Sequence, residues 1–290
     1  MRNSLKIKDV CFSYRDNCVL DNVSFQCENG IVALLGNNGA GKTTLMKILS
    51  GLKKPSNGII ELNEENIIQN KPYPLNKVGY LPQNFELYNN ISGYDFLSYV
   101  FDVKKINKSN KKETIDCVVE KMQLNSVINK KFRTYSGGYK RRLGIAQAIL
   151  GEPELIIIDE PSVGLDPEQR MEFRSYLSEI SKNSITLIST HIIEDVELYS
   201  DKIVILKDKT IKFQGTIEEI INASLPFIYT KEIKISELPK LKEFVTILEE
   251  KRMNFDNVKV KFIKNEKEIE GSNKAKEISL ENAYVYFQKM

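Results

Sequence analysis

Three segments at the start of the chain, Leu5–Tyr14, Val19–Cys27 and Ile31–Gly36, read as strands joined by short turns such as Glu28-Asn29-Gly30. The third carries the unbroken apolar run Ile31-Val-Ala-Leu-Leu35, the pattern of a strand buried on both faces. Thr44, Leu45, Ile48 and Leu49 then follow helical spacing, and this helix is expected to end near Gly51. Asn57-Gly58 predicts a turn before Ile59-Ile60-Glu61-Leu62. Val78-Gly-Tyr-Leu81 reads as a short strand stopped by Pro82. From about Phe85 to Leu150 the pattern is mainly helical, with a lysine-rich interruption from Lys104 to Lys112. Apolar strands return at Leu155–Ile158, closed by Asp159, at Ile185–Ser189 and at Lys202–Leu206.

Apolar strands alternating with helices point to an α/β fold, a mainly parallel sheet covered on both faces. It has an antiparallel β portion at its N-terminal end and a helical subdomain inserted at about 85–150. This domain is placed at 1–220. From about Leu225 the pattern is fresh, and 225–290 reads as a small C-terminal α+β appendage. There Leu238, Leu241, Val245 and Leu248 sit at helical spacing, Val258-Lys-Val-Lys-Phe262 alternates as a strand, and Leu280, Tyr284 and Phe287 share a helix face.

Composition changes this picture little. With 41% hydrophobic and 28% charged residues in 290, the chain can bury a sizeable core. A net charge of +3 is too small to make nucleic acid the main partner. No apolar run approaches the roughly 20 residues of a membrane span, and the first ten residues lack a signal-peptide core. The four cysteines, Cys11, Cys18, Cys27 and Cys117, match no zinc spacing and are expected to be buried thiols.

The chemistry begins at Gly36-Asn37-Asn38-Gly39-Ala40-Gly41-Lys42-Thr43-Thr44. Every fixed position of a phosphate loop is filled, and the loop lies between a strand and a helix. Glycines let successive N–H groups turn toward an anion, and the helix start adds its positive end. Lys42 is placed to reach β- and γ-phosphates and the Thr43 hydroxyl to ligate Mg²⁺. A second signal is Leu155-Ile-Ile-Ile-Asp159-Glu160, a strand delivering two carboxylates at its end. Asp159 suits the metal, and Glu160 suits a general base acting on water. Third, Tyr135-Ser136-Gly137-Gly138-Tyr139 opens a helix running to Leu150, a further set of exposed N–H groups. The single histidine, His191, follows the strand ending at Thr190, where doubly wound sheets bind ligands.

Together these residues resemble the ATP-binding subunits of ABC transporters over about Leu5 to Ile220. Gly36–Thr43 is similar to the family's Walker A loop, Leu155–Glu160 to Walker B, Gly164-Leu165-Asp166 to the D-loop and His191 to the switch histidine. Tyr135–Tyr139 resembles the signature Leu-Ser-Gly-Gly-Gln, with tyrosines at its first and last positions. The resemblance implies further roles. Gln83 senses Mg²⁺ and faces a membrane partner, and Tyr14 stacks on adenine. Ser136, Gly137 and Gly138 contact the ATP held by a second copy. Phe85, Leu87 and Tyr88, just beyond Gln83, are expected to form part of the partner surface. The implied protein is a peripheral ATPase at the cytoplasmic membrane face, dimeric and serving a separate membrane-spanning permease. Thr134–Leu143 and Ser279–Tyr284 resemble the drug and antibiotic-peptide exporter branch. A soluble ABC ATPase that moves no solute is the rival; a phosphate-loop kinase fits less well, because it needs an acceptor site in place of a hydrolytic water.

Overall fold

The computed structural model describes residues 2–69, 71–107, 110–161, 167–264 and 269–290. The D-loop residues Gly164, Leu165 and Asp166 lie outside them. The chain divides into two units, Met1–Ile211 and Lys212–Met290.

The first unit opens with β1 (Ser4–Tyr14), β2 (Asn17–Glu28) and β3 (Gly30–Leu35), then α1 (Lys42–Leu49), β4 (Asn57–Leu62), β5 (Glu65–Asn66) and β6 (Val78–Leu81). The helical block holds α2 (Gly93–Val103), α3 (Lys111–Lys121) and α4 (Gly137–Ile149). After it come β7 (Leu155–Asp159), α5 (Pro167–Ile180), β8 (Ile185–Thr190), α6 (Ile193–Tyr199) and β9 (Lys202–Lys207). Strand β10 (Thr210–Gly215) spans the division between the units.

Two sheets shape this unit. One has the order β2-β1-β4-β5, with antiparallel neighbours. The other has the order β10-β9-β3-β8-β7-β6, and β9, β3, β8, β7 and β6 run parallel. Alternation along β7 shows why its run is unbroken. Leu155 and Ile157 face a core shared with α1 and the antiparallel sheet. Ile156 and Ile158 face a second core built from the helical block and α5. With both faces covered, each fully buried Ile or Leu contributes about 1.5–3 kcal/mol.

Several expectations need correction. Asn57-Gly58 opens β4 and makes no turn. Opposite it, β1 shifts register between Lys8 and Cys11, and Gly58 at φ 102° lies against that irregularity. A Cβ there would fall 2.6 Å from the Val10 Cα, so the glycine serves close approach of two strands. Of the cysteines only Cys27 is buried; Cys11 and Cys18 are half-buried, Cys117 is exposed, and all are free thiols. Phe85 and Leu87 pack against the helical-block core, with the Phe85 ring 5.8 Å from Phe96 and 6.1 Å from Phe132. Tyr88, 84% exposed, is the one of the three left on the surface.

The second unit contains α7 (Ile217–Ser224), β11 (Ile228–Lys234), α8 (Leu238–Lys242), β12 (Val245–Arg252), β13 (Asn257–Lys264), β14 (Asn273–Lys274) and α9 (Leu280–Lys289). Its sheet has the order β12-β13-β11-β14 over a core of Ile233, Val245, Val258, Val260 and Phe262. Helix α7 packs against α9, so the division falls at 211/212, ahead of the 220–225 placement from pattern. The helix expected through Leu248 stops at Lys242, and Val245 and Leu248 belong to β12. Val245-Thr246-Ile247 is β-branched throughout, which disfavours continuing the helix.

Candidate nucleotide site

Parallel register assembles the site. Leu35 pairs with Thr190 on the β3–β8 ladder, so the loop from Gly36 and His191 leave adjacent strands at the same level. Asp159 pairs with Ser189 on β8–β7, and Leu81 with Ile158 on β7–β6. Glu160 and the Pro82-Gln83 segment therefore leave the sheet at that same carboxyl edge, where ligands bind open parallel sheets.

At the loop, Asn37, Asn38 and Gly39 are exposed while Gly36, Gly41 and Lys42 are buried. Gly41 has φ 108°, and a Cβ on it would lie 2.9 Å from Leu20 Cδ2 and 3.0 Å from the Val19 carbonyl. Only glycine fits this left-handed, crowded position. The Ala40 N–H donates to the Asn37 carbonyl at 3.0 Å, closing the loop crest. Helix α1 starts with neither a side-chain cap nor an acidic residue in its first turn, so no side chain competes there with an anion for its first N–H groups. The Lys42 ammonium donates to the Gly36 carbonyl at 2.6 Å and the Asn37 carbonyl at 3.3 Å. Burial lowers its pKa, opposed by the Glu160 and Asp159 carboxylates. Thr43 is half-buried and Thr44 buried, both on the first turn of α1.

The carboxylates form a fixed unit. The Ser189 hydroxyl donates to Asp159 Oδ1 and accepts the Glu160 N–H at 2.8 Å. Asp159 is 1% exposed, and its Oδ2 accepts no hydrogen bond among the described residues. Such an oxygen suits a hard cation or its bound water. Glu160 sits at φ 48°. Its Oε2 lies 3.1 Å from His191 Nδ1, with the Glu160 side chain 11% and the His191 side chain 49% exposed. The Glu160 carbonyl accepts a hydrogen bond from Arg141 Nη2 at 3.1 Å. Burial pushes the Arg141 guanidinium down to about 10, against the pull of Asp159. Sequence reading missed Ser189 and Arg141. The signal for Ser189 is a hydroxyl near the end of an otherwise apolar strand; for Arg141 there is only its place one turn into α4.

The remaining residues fall into three places. Gln83 is exposed just beyond β6. Tyr14 ends β1, 42% exposed, with the Lys53 ammonium 4.8 Å from its ring centroid. Ser136 caps α4 by accepting the Tyr139 N–H at 3.3 Å, and Ser136 and Gly137 are exposed. The two variant tyrosines fill space: Tyr135 is buried and donates to the Val127 carbonyl at 2.8 Å, and its ring lies 6.3 Å from that of Tyr139.

The ABC transporter family model matches residues 20–163. The uncharacterised ABC transporter ATP-binding protein YxlF of Bacillus subtilis is 37% identical over 231 residues, 79% of this chain and 77% of YxlF. The chain belongs to the ABC transporter ATP-binding family. Bacitracin transport ATP-binding protein BcrA of Enterococcus faecalis is 34% identical over 223 residues, 76% of this chain and 71% of BcrA. A solved ATP-binding subunit of an ABC transporter shares the fold with a TM-score of 0.68 at 30% identity, covering 74% of this chain and 91% of that one. This ABC protein is thus an ATPase subunit coupled to transport, and its sheet is that of the phosphate-loop NTPases.

Proposed function

We propose that two copies of the chain bind two ATP molecules head to tail and drive a separate membrane permease. Each ATP would lie between Gly36–Thr43 of one copy and Ser136-Gly137-Gly138 of the other, with Tyr14 against the adenine. The observation that carries the reading is the carboxyl edge of the sheet, where Lys42, Asp159, Glu160 and His191 converge. Glu160 takes a proton from water, the water oxygen attacks the γ-phosphorus, and the bond to the β–γ bridging oxygen breaks to release ADP. His191 holds the carboxylate through Nδ1. Lys42 compensates phosphate charge in a partly dry site.

Thr43, Gln83 and the free Oδ2 of Asp159 would hold Mg²⁺. The ion supplies charge neutralisation on the β- and γ-phosphate oxygens. Closure of the dimer on ATP and its reopening after hydrolysis would move the permease from the cytoplasmic membrane face. Among the described residues no helix is long and apolar enough to cross a membrane. Export of a drug or peptide is the direction this reading takes, from the likeness of Thr134–Leu143 and Ser279–Tyr284 to the exporter branch, with a bacitracin transport protein among the relatives and spermidine/putrescine import proteins among them as well.

Affinity purification of the tagged chain from detergent-solubilised membranes tests the reading. A retained multi-span protein whose presence raises ATP hydrolysis is the expected result. A soluble scaffold retained in its place would overturn the transport assignment in favour of a non-transport ABC ATPase.

A further inference from the structure

Glu160 is gripped through its backbone from two directions. On the amide side, its N–H donates to Ser189 Oγ at 2.8 Å, and Ser189 is bonded in turn to Asp159 Oδ1. On the carbonyl side, the acceptor oxygen receives Arg141 Nη2 at 3.1 Å. The φ of 48° at Glu160 is a left-handed conformation, uncommon for a non-glycine residue. Ser189 holds the incoming peptide plane through the Glu160 N–H. The outgoing plane, which completes the left-handed turn, has Arg141 as its side-chain partner.

Arg141 does not come from the strand that carries Glu160. It lies on α4, the helix that Ser136 caps and that exposes Gly137. We infer that Arg141 is a positioning residue: it sets the Glu160 carboxylate by holding the Glu160 carbonyl and ties it to the helix that presents Ser136-Gly137-Gly138. This inference rests on Glu160 being the general base. Its physical content is geometric. A carboxylate that activates water works only within a narrow range of positions, and a shift near 1 Å costs about 10²-fold in rate. Among the described residues no hydrogen bond joins Arg141 to Glu160 Oε2 or to His191, so its hold on Glu160 is through the backbone carbonyl.

Two substitutions separate positioning from packing. Arg141→Met keeps an aliphatic stem and removes every donor; Arg141→Lys keeps one cationic donor able to reach a carbonyl. The readouts are kcat, ATP affinity by equilibrium titration, and melting temperature. For Arg141→Met the expected result is a kcat lower by about 10- to 100-fold, with ATP affinity within about twofold of the parent. Arg141→Lys should recover most of that loss. Equal impairment of the Met and Lys variants, or loss of kcat and affinity together, would overturn the inference, as would a Met variant with the parent kcat. Glu160→Gln, measured alongside, keeps the two claims distinguishable. If Glu160→Gln hydrolyses ATP at the parent rate, the general-base reading fails. If Glu160→Gln is inactive while Arg141→Met is parent-like, only the positioning role fails.

Discussion

His191 Nδ1 lies 3.1 Å from Glu160 Oε2, across two adjacent strand ends, with the imidazole half exposed and the carboxylate nearly enclosed. On the proposed mechanism this pairing would orient the base, because an N–H donated to one carboxylate oxygen leaves the other open to water. His191→Ala should lower kcat by about 10²-fold while leaving ATP affinity near the parent value, because positioning is lost and phosphate contacts are kept. Steady-state ATPase assays beside nucleotide titrations check this; an unchanged kcat would remove His191 from the site.

Lys42 is the cation under the loop, already bonded to the Gly36 and Asn37 carbonyls. Lys42→Ala should weaken ATP binding by at least about tenfold, through lost phosphate compensation in a partly dry site. Titration of a fluorescent ATP analogue into the folded variant measures it. Parent-like affinity would contradict the loop assignment.

Lys104 carries a pH-dependent part of the stability. Its ammonium is buried at the end of α2 and donates to the Gln147, Ala148 and Leu150 carbonyls near the end of α4. Burial lowers its pKa to about 8. Between about 8 and the ordinary lysine value, the unfolded chain holds this proton and the folded chain does not. The contribution of Lys104 to stability therefore rises with pH across that window, by up to about 3 kcal/mol. Denaturant unfolding of the parent and Lys104→Met between pH 8 and 10 should show the stability difference moving in the parent's favour as pH rises.

Tyr88 and Phe85 make opposite predictions although both follow Gln83. Tyr88 is 84% exposed, so Tyr88→Glu should weaken retention of the membrane partner without changing the melting temperature. Phe85 packs on Phe96 and Phe132, so Phe85→Ala should cost about 2–3 kcal/mol of stability instead. Pull-down and thermal melts on both variants distinguish a docking residue from a core residue.

The parallel strands were legible because burial on both faces leaves an apolar run no polar position to interrupt it, as in Leu155–Ile158. The loop and the carboxylates were legible because their chemistry is local in sequence. Gly58 misled because a glycine after asparagine looks alike whether it turns the chain or admits a neighbouring strand. Leu238, Leu241, Val245 and Leu248 fit a helix by spacing alone, and the β-branched Val245-Thr246-Ile247 decided for a strand. Ser189 and Arg141 escaped because their partners are 30 and 19 residues away in sequence. Their roles exist only once β7, β8 and α4 are packed together.

Glu160 as the base of a site completed by Ser136 of a second copy is the central claim. Glu160→Gln keeps the shape of the side chain and loses the base, which costs about 10² to 10⁴ in hydrolysis rate. ATP should still bind, and the two copies should remain closed on it. Size-exclusion chromatography in MgATP is the direct measurement. Glu160→Gln should run as a dimer, and Glu160→Gln with Ser136→Arg should run as a monomer. A Glu160→Gln dimer indifferent to Ser136→Arg, or a Glu160→Gln variant with parent ATPase activity, would contradict the claim.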